Sequence, residues 1–175
     1  NISVEETIQV YPKSINQHDS LFIFMAKRGP GKYLYVVSYD DVHSIMGKFK
    51  GEILQDTGFE PGAFIKQCDL IHSNTVVVRE LFQFTNPVLI GLHDSFGLGD
   101  RLGLANPAHL RAVAGSHMKP ILAQQSIREL ERTQRTPEEV MDAATWAAFQ
   151  EGYKEGFGAD ADHLKTTDDI DLMVA

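Results

Sequence analysis

Residues 119–165 read KPILAQQSIRELERTQRTPEEVMDAATWAAFQEGYKEGFGADADHLK and decide the fold class. The stretch opens with a short apolar run at 119–123, which predicts a strand. After a polar segment, Thr136, Pro137 and Glu139 supply an N-cap, a proline at the first helical position and a capping-box acid. A strand, a polar loop and a well-marked helix in this order are typical of a parallel sheet.

The same alternation extends in both directions from this stretch. Residues 88–92 form a continuous apolar run, as expected of a strand covered on both faces, and residues 107–114 form the helix after it. Residues 157–164 are a third predicted strand, and a third helix begins at Thr167. A (β/α)8 barrel needs about 250 residues. We therefore predict an α/β fold in which residues 85–175 are the first part of a TIM-barrel-like domain, with the barrel incomplete in this chain.

Residues 1–84 have a different pattern. Two β-rich runs at 21–26 and 33–38 flank a loop containing glycine and proline, which predicts a hairpin. We predict a helix at 60–71 and a strand at 75–82. These elements make a small α+β region that precedes the barrel units.

Composition and charge restrict the partners of the chain. Its 175 residues include 24 acidic and 16 basic side chains, a net charge of -8 that would repel phosphate backbones, so we expect no nucleic-acid partner. No apolar run reaches the roughly 18 residues that a membrane helix needs, and the N-terminus lacks a signal-peptide pattern, so we expect no membrane partner and a cytoplasmic location. Cys68 is the only cysteine, which excludes an internal disulfide framework and suits a reducing compartment.

Three glycines follow the first predicted strand of the α/β region. Gly97, Gly99 and Gly103 give the spacing GxGxxxG rather than the GxGxxG of dinucleotide sites, so we expect no NAD. A tight turn and a substrate-lining loop both remain open. Asp100 and Arg101 lie within this loop, where an arginine fork could take a carboxylate; the alternative is that they pair with each other or with neighbouring loops.

A polar cluster follows the second strand, and it includes Gln125, Ser126, Arg128 and Glu129. In a parallel barrel the carboxyl ends of the strands form the active-site face, so these side chains stand where chemistry occurs. The alternative is ordinary capping and loop hydrogen bonding.

The third cluster is Asp160, Asp162 and His163, with Lys165 beyond it. Alternation along the strand puts Asp160 and Asp162 on the same face, and His163 follows as the strand ends. Carboxylates and imidazole are suitable ligands for Zn²⁺, Mn²⁺, Fe²⁺ or Ni²⁺. The alternative is again capping or an exposed surface.

Three segments together carry a family resemblance: GDRLG at 99–103, AQQSIRE at 123–129, and ATWAAFQEGYKEGFGADADHLK at 144–165. They resemble the tagaturonate/fructuronate epimerase family, whose relatives are also used as tagatose 4-epimerases. The resemblance implies a metal-dependent, TIM-barrel-like isomerase that acts on keto-hexuronates in carbohydrate metabolism. Family members are much longer, so it also implies that this chain is an N-terminal part and is inactive alone.

The two sugar acids differ at a carbinol centre β to the ketone, where simple enolisation cannot invert the configuration. Retro-aldol cleavage and re-addition would invert it, and a divalent transition metal would stabilise the enediolate. Transient oxidation by nicotinamide is the rival route. The resemblance implies these roles: His163 and Asp160 or Asp162 at the metal, Glu129 or Asp162 as general acid/base, Arg101 or Arg128 for the uronate carboxylate, Gln125 and Ser126 for hydroxyls, and Asp100 and Lys165 in the substrate site.

Two other classes of function remain open. A class II aldolase or a sugar isomerase would share the metal and the barrel but give different products. A sugar-binding or assembly module without activity is the second alternative. The expected partners are a small-molecule sugar acid and either the rest of the same barrel or a second copy of the chain.

Overall fold

The computed structural model describes residues 7–39, 44–54 and 62–174. The chain divides into two compact units, Asn1–Leu81 and Phe82–Ala175. Both contain sheet and helix, so the chain has a mixed α/β structure. Within the described ranges, no helix has both the length and the apolar character that crossing a bilayer requires.

The described part of the first unit is built on an antiparallel sheet. The predicted hairpin is confirmed, since its two runs pair antiparallel from Phe22 opposite Val37 to Arg28 opposite Gly31. The sheet order is β1-β3-β4-β6-β5, and β2 pairs with β3. The strands are β1 (Ile8–Val10), β2 (Asn16–His18), β3 (Leu21–Arg28), β4 (Gly31–Ser38), β5 (Glu52–Leu54) and β6 (Phe64–Cys68).

Two predicted elements of this unit are wrong. The predicted helix at 60–71 contains strand β6, which pairs with β4 on one side and β5 on the other. The predicted strand at 75–82 lies mostly in helix α2 (His72–Leu81), which follows the short helix α1 (Ser44–Lys48). The β-branched residues of α2 favour a strand locally, but Asn74, Thr75, Val77 and Val78 are its buried positions, and this 3–4 spacing belongs to a helix.

Asn74 joins helix α2 to the segment before β5 and to the segment after β6. Its side chain is fully buried, and its Oδ1 accepts from the Lys50 backbone N–H at 2.7 Å. Its Nδ2 donates to the carbonyl oxygens of Lys50 and Asp69, both at 2.8 Å. One amide side chain therefore satisfies three buried or half-buried backbone groups that no regular element would pair.

The second unit carries a parallel sheet in sequence order. Strands β7 (Ser95–Gly97), β8 (Lys119–Ser126) and β9 (Gly158–Asp162) pair side by side, with β8 in the middle. The connections between them hold helices, as parallel pairing requires. These helices are α3 (Asn106–Val113), α4 (Ile127–Thr133) and α5 (Pro137–Glu151), and α6 (Thr167–Val174) follows β9.

Helix α5 confirms the firmest local prediction. Thr136 Oγ1 accepts from the Glu139 N–H at 3.1 Å, and Glu139 Oε2 accepts from the Thr136 N–H at 2.9 Å, which completes the capping box. The helix ends at Glu151, and Gly152 follows in the left-handed conformation with φ of 57°. The signal at the start of the helix is local, which is why it could be predicted from the sequence.

The predicted strand at 88–92 is wrong. The parallel strand lies later, at β7, and residues 88–92 form a loop and turn in which Gly91 has a φ of 64°. Leu89 and Leu92 are fully exposed. An apolar run indicates burial only where a partner covers it, and here the run makes a single backbone bond to the strand region, from Val88 N–H to the Phe157 oxygen at 2.8 Å.

The core of the second unit lies between β8 and the helices. Leu122 of β8 and Leu110 of α3 are each about 1% exposed, and both pack with the inner face of α5. Each fully buried aliphatic side chain contributes about 1.5–3 kcal/mol of hydrophobic free energy. The buried set includes Val140, Ala144, Ala147 and Ala148 of α5 and Tyr153 just beyond its end.

We predict that Asn74→Leu lowers the free energy of unfolding by about 2–4 kcal/mol, because the substitution leaves part-buried backbone groups of Lys50 and Asp69 without their partner. Ser73→Ala is the matched control on the same helix, since the buried Ser73 hydroxyl has no hydrogen-bond partner among the described residues. Urea unfolding monitored by circular dichroism measures both. Equal stability of the Asn74→Leu variant and the wild type would contradict the role of this amide.

Candidate active site

The carboxyl ends of β8 and β9 lie side by side, and the chain that leaves β7 opposite Ile121 runs on to reach them. Gly97 ends β7, Ser126 ends β8 and Asp162 ends β9, and Ser126 is the ladder partner of Asp162. The predicted site residues fall at these strand ends or on the segments that leave them. They are Asp100, Arg101, Gln125, Ser126, Arg128, Glu129, Asp160, Asp162, His163 and Lys165.

The glycines after β7 are explained by close packing. A Cβ on Gly99 would collide with the carbonyl oxygen of Gln124, and Gly103 has a φ of 67°, which side chains rarely adopt. The loop of residues 98–105, which we call the glycine loop, therefore passes directly over the end of β8. Both the tight-turn and the substrate-lining interpretations agree with this path.

Asp100 folds the glycine loop onto itself. Its Oδ1 accepts from the Leu102 N–H at 3.1 Å, and its Oδ2 accepts from the Ala105 N–H at 2.6 Å. Burial raises the pKa of the Asp100 carboxyl, but the backbone N–H groups of Ala105, Leu102 and Leu104 outweigh burial, so the pKa lies below its ordinary value. The carboxylate is an internal cap of this loop.

Arg101 and Glu129 form an ion pair between the first and second strand ends. Arg101 Nε donates to Glu129 Oε1 at 2.6 Å, and Glu129 Oε2 accepts from the Ser126 N–H at 3.4 Å. The hydrogen bond from Arg101 is the largest cause that lowers the pKa of the Glu129 carboxyl, with smaller help from Ser126 N–H and the charge of Arg128 and with burial opposing it. A lowered pKa makes Glu129 a weaker base while the pair is closed.

Gln125 is buried under the glycine loop. It is 3% exposed; its Nε2 donates to the Arg101 carbonyl at 3.2 Å, and its Oε1 accepts from Arg135 Nη1 at 3.0 Å. Both ends of the Gln125 amide therefore bind other groups of the protein in this structure. Its predicted contact with a sugar hydroxyl stays a prediction.

Arg135 is part of this group of side chains, although the sequence analysis did not single it out. The guanidinium donates to the carbonyl oxygens of Asp100 and Arg101 as well as to Gln125, and on its other side to the Glu139 carbonyl at 3.1 Å. No spacing signal marks such a residue, because its partners are mostly backbone oxygens that any sequence would offer.

Gln124 also belongs to the polar cluster after the second strand, although the sequence assigned it no role, and it lies between the outer strands. Its Nε2 donates to Asp160 Oδ2 at 3.0 Å, and the two residues are ladder partners in β8 and β9. A Cβ on Gly97 would lie 2.6 Å from Gln124 Oε1, so the amide also covers Gly97 of β7. Gln124 thus orients the Asp160 carboxylate.

The end of β9 carries two kinds of side chain that could bind a metal ion, a carboxylate and an imidazole. Asp160 and His163 are exposed, and His163 has a φ of 56°, which turns the chain as the strand ends. The side chain of Asp162 lies outside the described part of the structure. The Lys165 N–H donates to Asp169 Oδ2 at 2.8 Å, at the start of α6. Asp160 and His163 offer one oxygen and one nitrogen ligand, which divalent transition metals accept.

Cys68 lies outside this group, in the first unit. Its side chain is fully buried, and burial raises the pKa of the thiol to about 12. A thiol that stays protonated is not a nucleophile, so Cys68 is a core residue.

Comparison with known proteins identifies relatives of the whole chain. A family model described as UxaE, tagaturonate epimerase, matches residues 11–175. A curated tagaturonate/fructuronate epimerase from Thermotoga maritima is 47% identical over 162 residues, which are 93% of this chain and 32% of the relative. The native crystal structure of fructuronate-tagaturonate epimerase UxaE from Cohnella laeviribosi is 41% identical with a TM-score of 0.84, covering 95% of this chain and 32% of that one. A glycerol complex of the same enzyme is 42% identical with a TM-score of 0.83, and the match covers 94% of this chain and 32% of that one. The chain spans about a third of the length of these relatives.

We predict that Arg101→Gln raises the pKa of Glu129 towards its ordinary value. The pair lowers the pKa of Glu129 in the folded state, so it stabilises the fold as long as Glu129 is ionised. This contribution is complete above the ordinary pKa of the carboxyl and is lost as the pH falls through the lowered folded-state pKa. The wild type should therefore lose more stability than the variant on acidification, by less than about 1 kcal/mol because the pair is partly exposed.

Carboxyl-carbon NMR titration of Glu129 checks this prediction. Arg128→Gln is the control, because Arg128 acts on Glu129 only through space and as a minor cause. The same titration curve in the wild type and in Arg101→Gln would show that the ion pair is absent in solution.

Proposed function

Since the chain belongs to the tagaturonate epimerase family, we propose that the protein containing it interconverts tagaturonate and fructuronate. The observation that carries the proposal is the 47% identity to a tagaturonate/fructuronate epimerase across 93% of the chain. The position of the polar residues supports it, because they gather at the carboxyl ends of parallel strands, the usual place of active sites in such sheets.

We propose that β7, β8 and β9 are the first strands of a (β/α)8 barrel. They are parallel, they pair in sequence order, and helices lie in the connections between them, as in the opening part of that fold. Leu89, Leu92 and Phe96 are exposed apolar side chains next to this sheet, and further chain of the same barrel would cover them. A second copy of the chain is the other candidate. The chain alone would be inactive, and we expect the protein to act in the cytoplasm.

The proposed substrate brings its own carboxylate, for which Arg101 and Arg128 are the candidate partners. Arg101 is engaged by Glu129, so a uronate that binds Arg101 must compete with an internal carboxylate. Displacement would free Glu129 and raise its pKa, which makes it a better base only when substrate is present. The other candidates for the sugar are Asp100, Gln125, Ser126 and Lys165.

Asp160 and His163 fit a divalent transition metal in donor chemistry. Asp160 is held by the Gln124 amide, and an oriented carboxylate is a common part of such a site. When bound, an ion of this class supplies Lewis-acid stabilisation of the negative charge on the sugar oxygens. The rest of the protein would provide the remaining ligands, since a catalytic site of this kind uses about three protein ligands.

We propose retro-aldol chemistry for the inversion. Glu129 or Asp162 accepts the proton of the hydroxyl on the carbon to be inverted; that carbon–oxygen bond becomes an aldehyde, and the electron pair of the breaking carbon–carbon bond forms the enediolate. The enediolate carbon then attacks the opposite face of the aldehyde, and the new alkoxide recovers the proton. No atom is gained or lost, as an epimerisation requires.

Removing the metal should abolish turnover. We predict that dialysis of the full-length protein against a chelator eliminates epimerase activity and that a divalent transition metal restores it. We further predict that His163→Ala weakens metal affinity by about 10-fold or more. His117→Ala is the matched control, because His117 is exposed and precedes β8 at the opposite end of the strands. Full activity without metal would exclude this part of the proposal.

An isotope experiment separates the two routes of inversion. The C–H bond of the inverted carbon stays intact in the retro-aldol route but breaks in transient oxidation by nicotinamide. We therefore predict no primary isotope effect with substrate deuterated at that carbon. A primary effect would favour oxidation, and accumulation of two smaller products would indicate an aldolase instead.

A further inference from the structure

We propose that Arg135 is a positioning residue for substrate binding, because its guanidinium anchors the glycine loop that carries Arg101. The proposal rests on the proposed function for the identity of the substrate. The anchoring itself rests on hydrogen bonds of the second unit.

The guanidinium joins three separate segments. Its Nη1 lies 3.1 Å from the backbone carbonyl oxygen of Asp100 and 3.2 Å from that of Arg101, both in the glycine loop. The same nitrogen lies 3.0 Å from Gln125 Oε1 at the end of β8. Nη2 lies 3.1 Å from the Glu139 oxygen in the first turn of α5. One side chain thus ties the loop to a strand and to a helix of the core.

The backbone of Arg135 is fixed on both sides. Gln134 ends α4 in the left-handed conformation with φ of 55°, and the Arg135 N–H donates to the Leu130 oxygen at 3.1 Å. Thr136 follows directly as the N-cap of α5. The side chain therefore starts from a constrained position, so ordering it costs less entropy than ordering an arginine on a free loop.

The glycine loop is shaped to receive this side chain. A Cβ on Gly103 would lie 2.7 Å from Arg135 Nη2 and 3.2 Å from the Cβ of Ala143. The Gln125 amide reinforces the anchor, since its Nε2 donates to the same Arg101 oxygen that Arg135 contacts. Backbone and side chain of Arg101 are thus held separately, the first by Arg135 and Gln125 and the second by Glu129.

Only an arginine can make this set of contacts. The guanidinium offers five N–H donors in a planar fork, whereas a lysine offers a single nitrogen that cannot reach the loop and the helix together. Asp100 would still cap the loop internally without Arg135. The loop would then keep its turn but lose the attachment to α5 and be held to β8 by Gln125 alone, and Arg101 would sample positions away from the substrate carboxylate.

The test uses Arg135→Lys in the full-length protein, with Arg132→Lys as control on the exposed side of α4. Arg101 would bind the carboxylate equally in the ground state and the transition state, so its displacement raises KM and leaves kcat nearly unchanged. We expect KM for tagaturonate to rise about tenfold, or about 1.4 kcal/mol, the value of one or two hydrogen bonds. We also expect faster hydrogen exchange in residues 101–105.

A double variant distinguishes positioning from general destabilisation. If Arg135 acts through Arg101, the KM effects of Arg135→Lys and Arg101→Gln will be non-additive, with little further rise in the double variant. Additive effects, an unchanged KM, or a fall in kcat that follows the melting temperature would each overturn the proposal. If the wild type lacks epimerase activity, the proposed function fails, and hydrogen exchange still decides the anchoring: unchanged exchange in Arg135→Lys overturns it.

Discussion

Parallel pairing of β8 with β7 on one side and β9 on the other determines the rest of the second unit. Parallel neighbours cannot be joined by a tight turn, so each connection must return across the sheet, and here the returning chain contains helices. Those helices bury one face of β8 and form the core. The same pairing brings the carboxyl ends of β8 and β9 together, and the loop after β7 reaches them, which is why candidate residues far apart in the sequence gather at one edge.

Structure was predictable from the sequence wherever contacts between neighbouring residues determine the conformation. Thr136, Glu139 and Gly152 fix the ends of α5 through contacts within one helical turn. The errors occurred where distant contacts decide. Residues 75–78 favour a strand by composition, yet burial of Asn74 and Val78 on one face makes them helical, since tertiary packing overrides a propensity difference of a few tenths of a kcal/mol. The apolar run at 88–92 indicated a buried strand, but Leu89 and Leu92 are exposed in this structure.

The location of the candidate residues at the strand ends was predictable, but the hydrogen bonds between them were not. Parallel topology and strand order sufficed to place Asp100, Gln125 and Asp160 at one edge. Which side chain holds which could not be predicted, because the partners of Arg135 and Gln125 are chiefly carbonyl oxygens whose positions depend on the folded backbone. A polar residue that supports a loop and one that touches a ligand have the same sequence signature until that backbone is known.

The left-handed backbone at His163 sets a limit on redesigning this protein for heat resistance. A side chain at a φ of 56° costs about 1–2 kcal/mol relative to glycine, so glycine would be the stabilising choice for an engineer who considers the backbone alone. The imidazole would be lost with it. If His163 has the proposed metal role, position 163 belongs among those to hold constant, and gains in thermal tolerance are better sought at helix termini and exposed turns that face away from the strand ends.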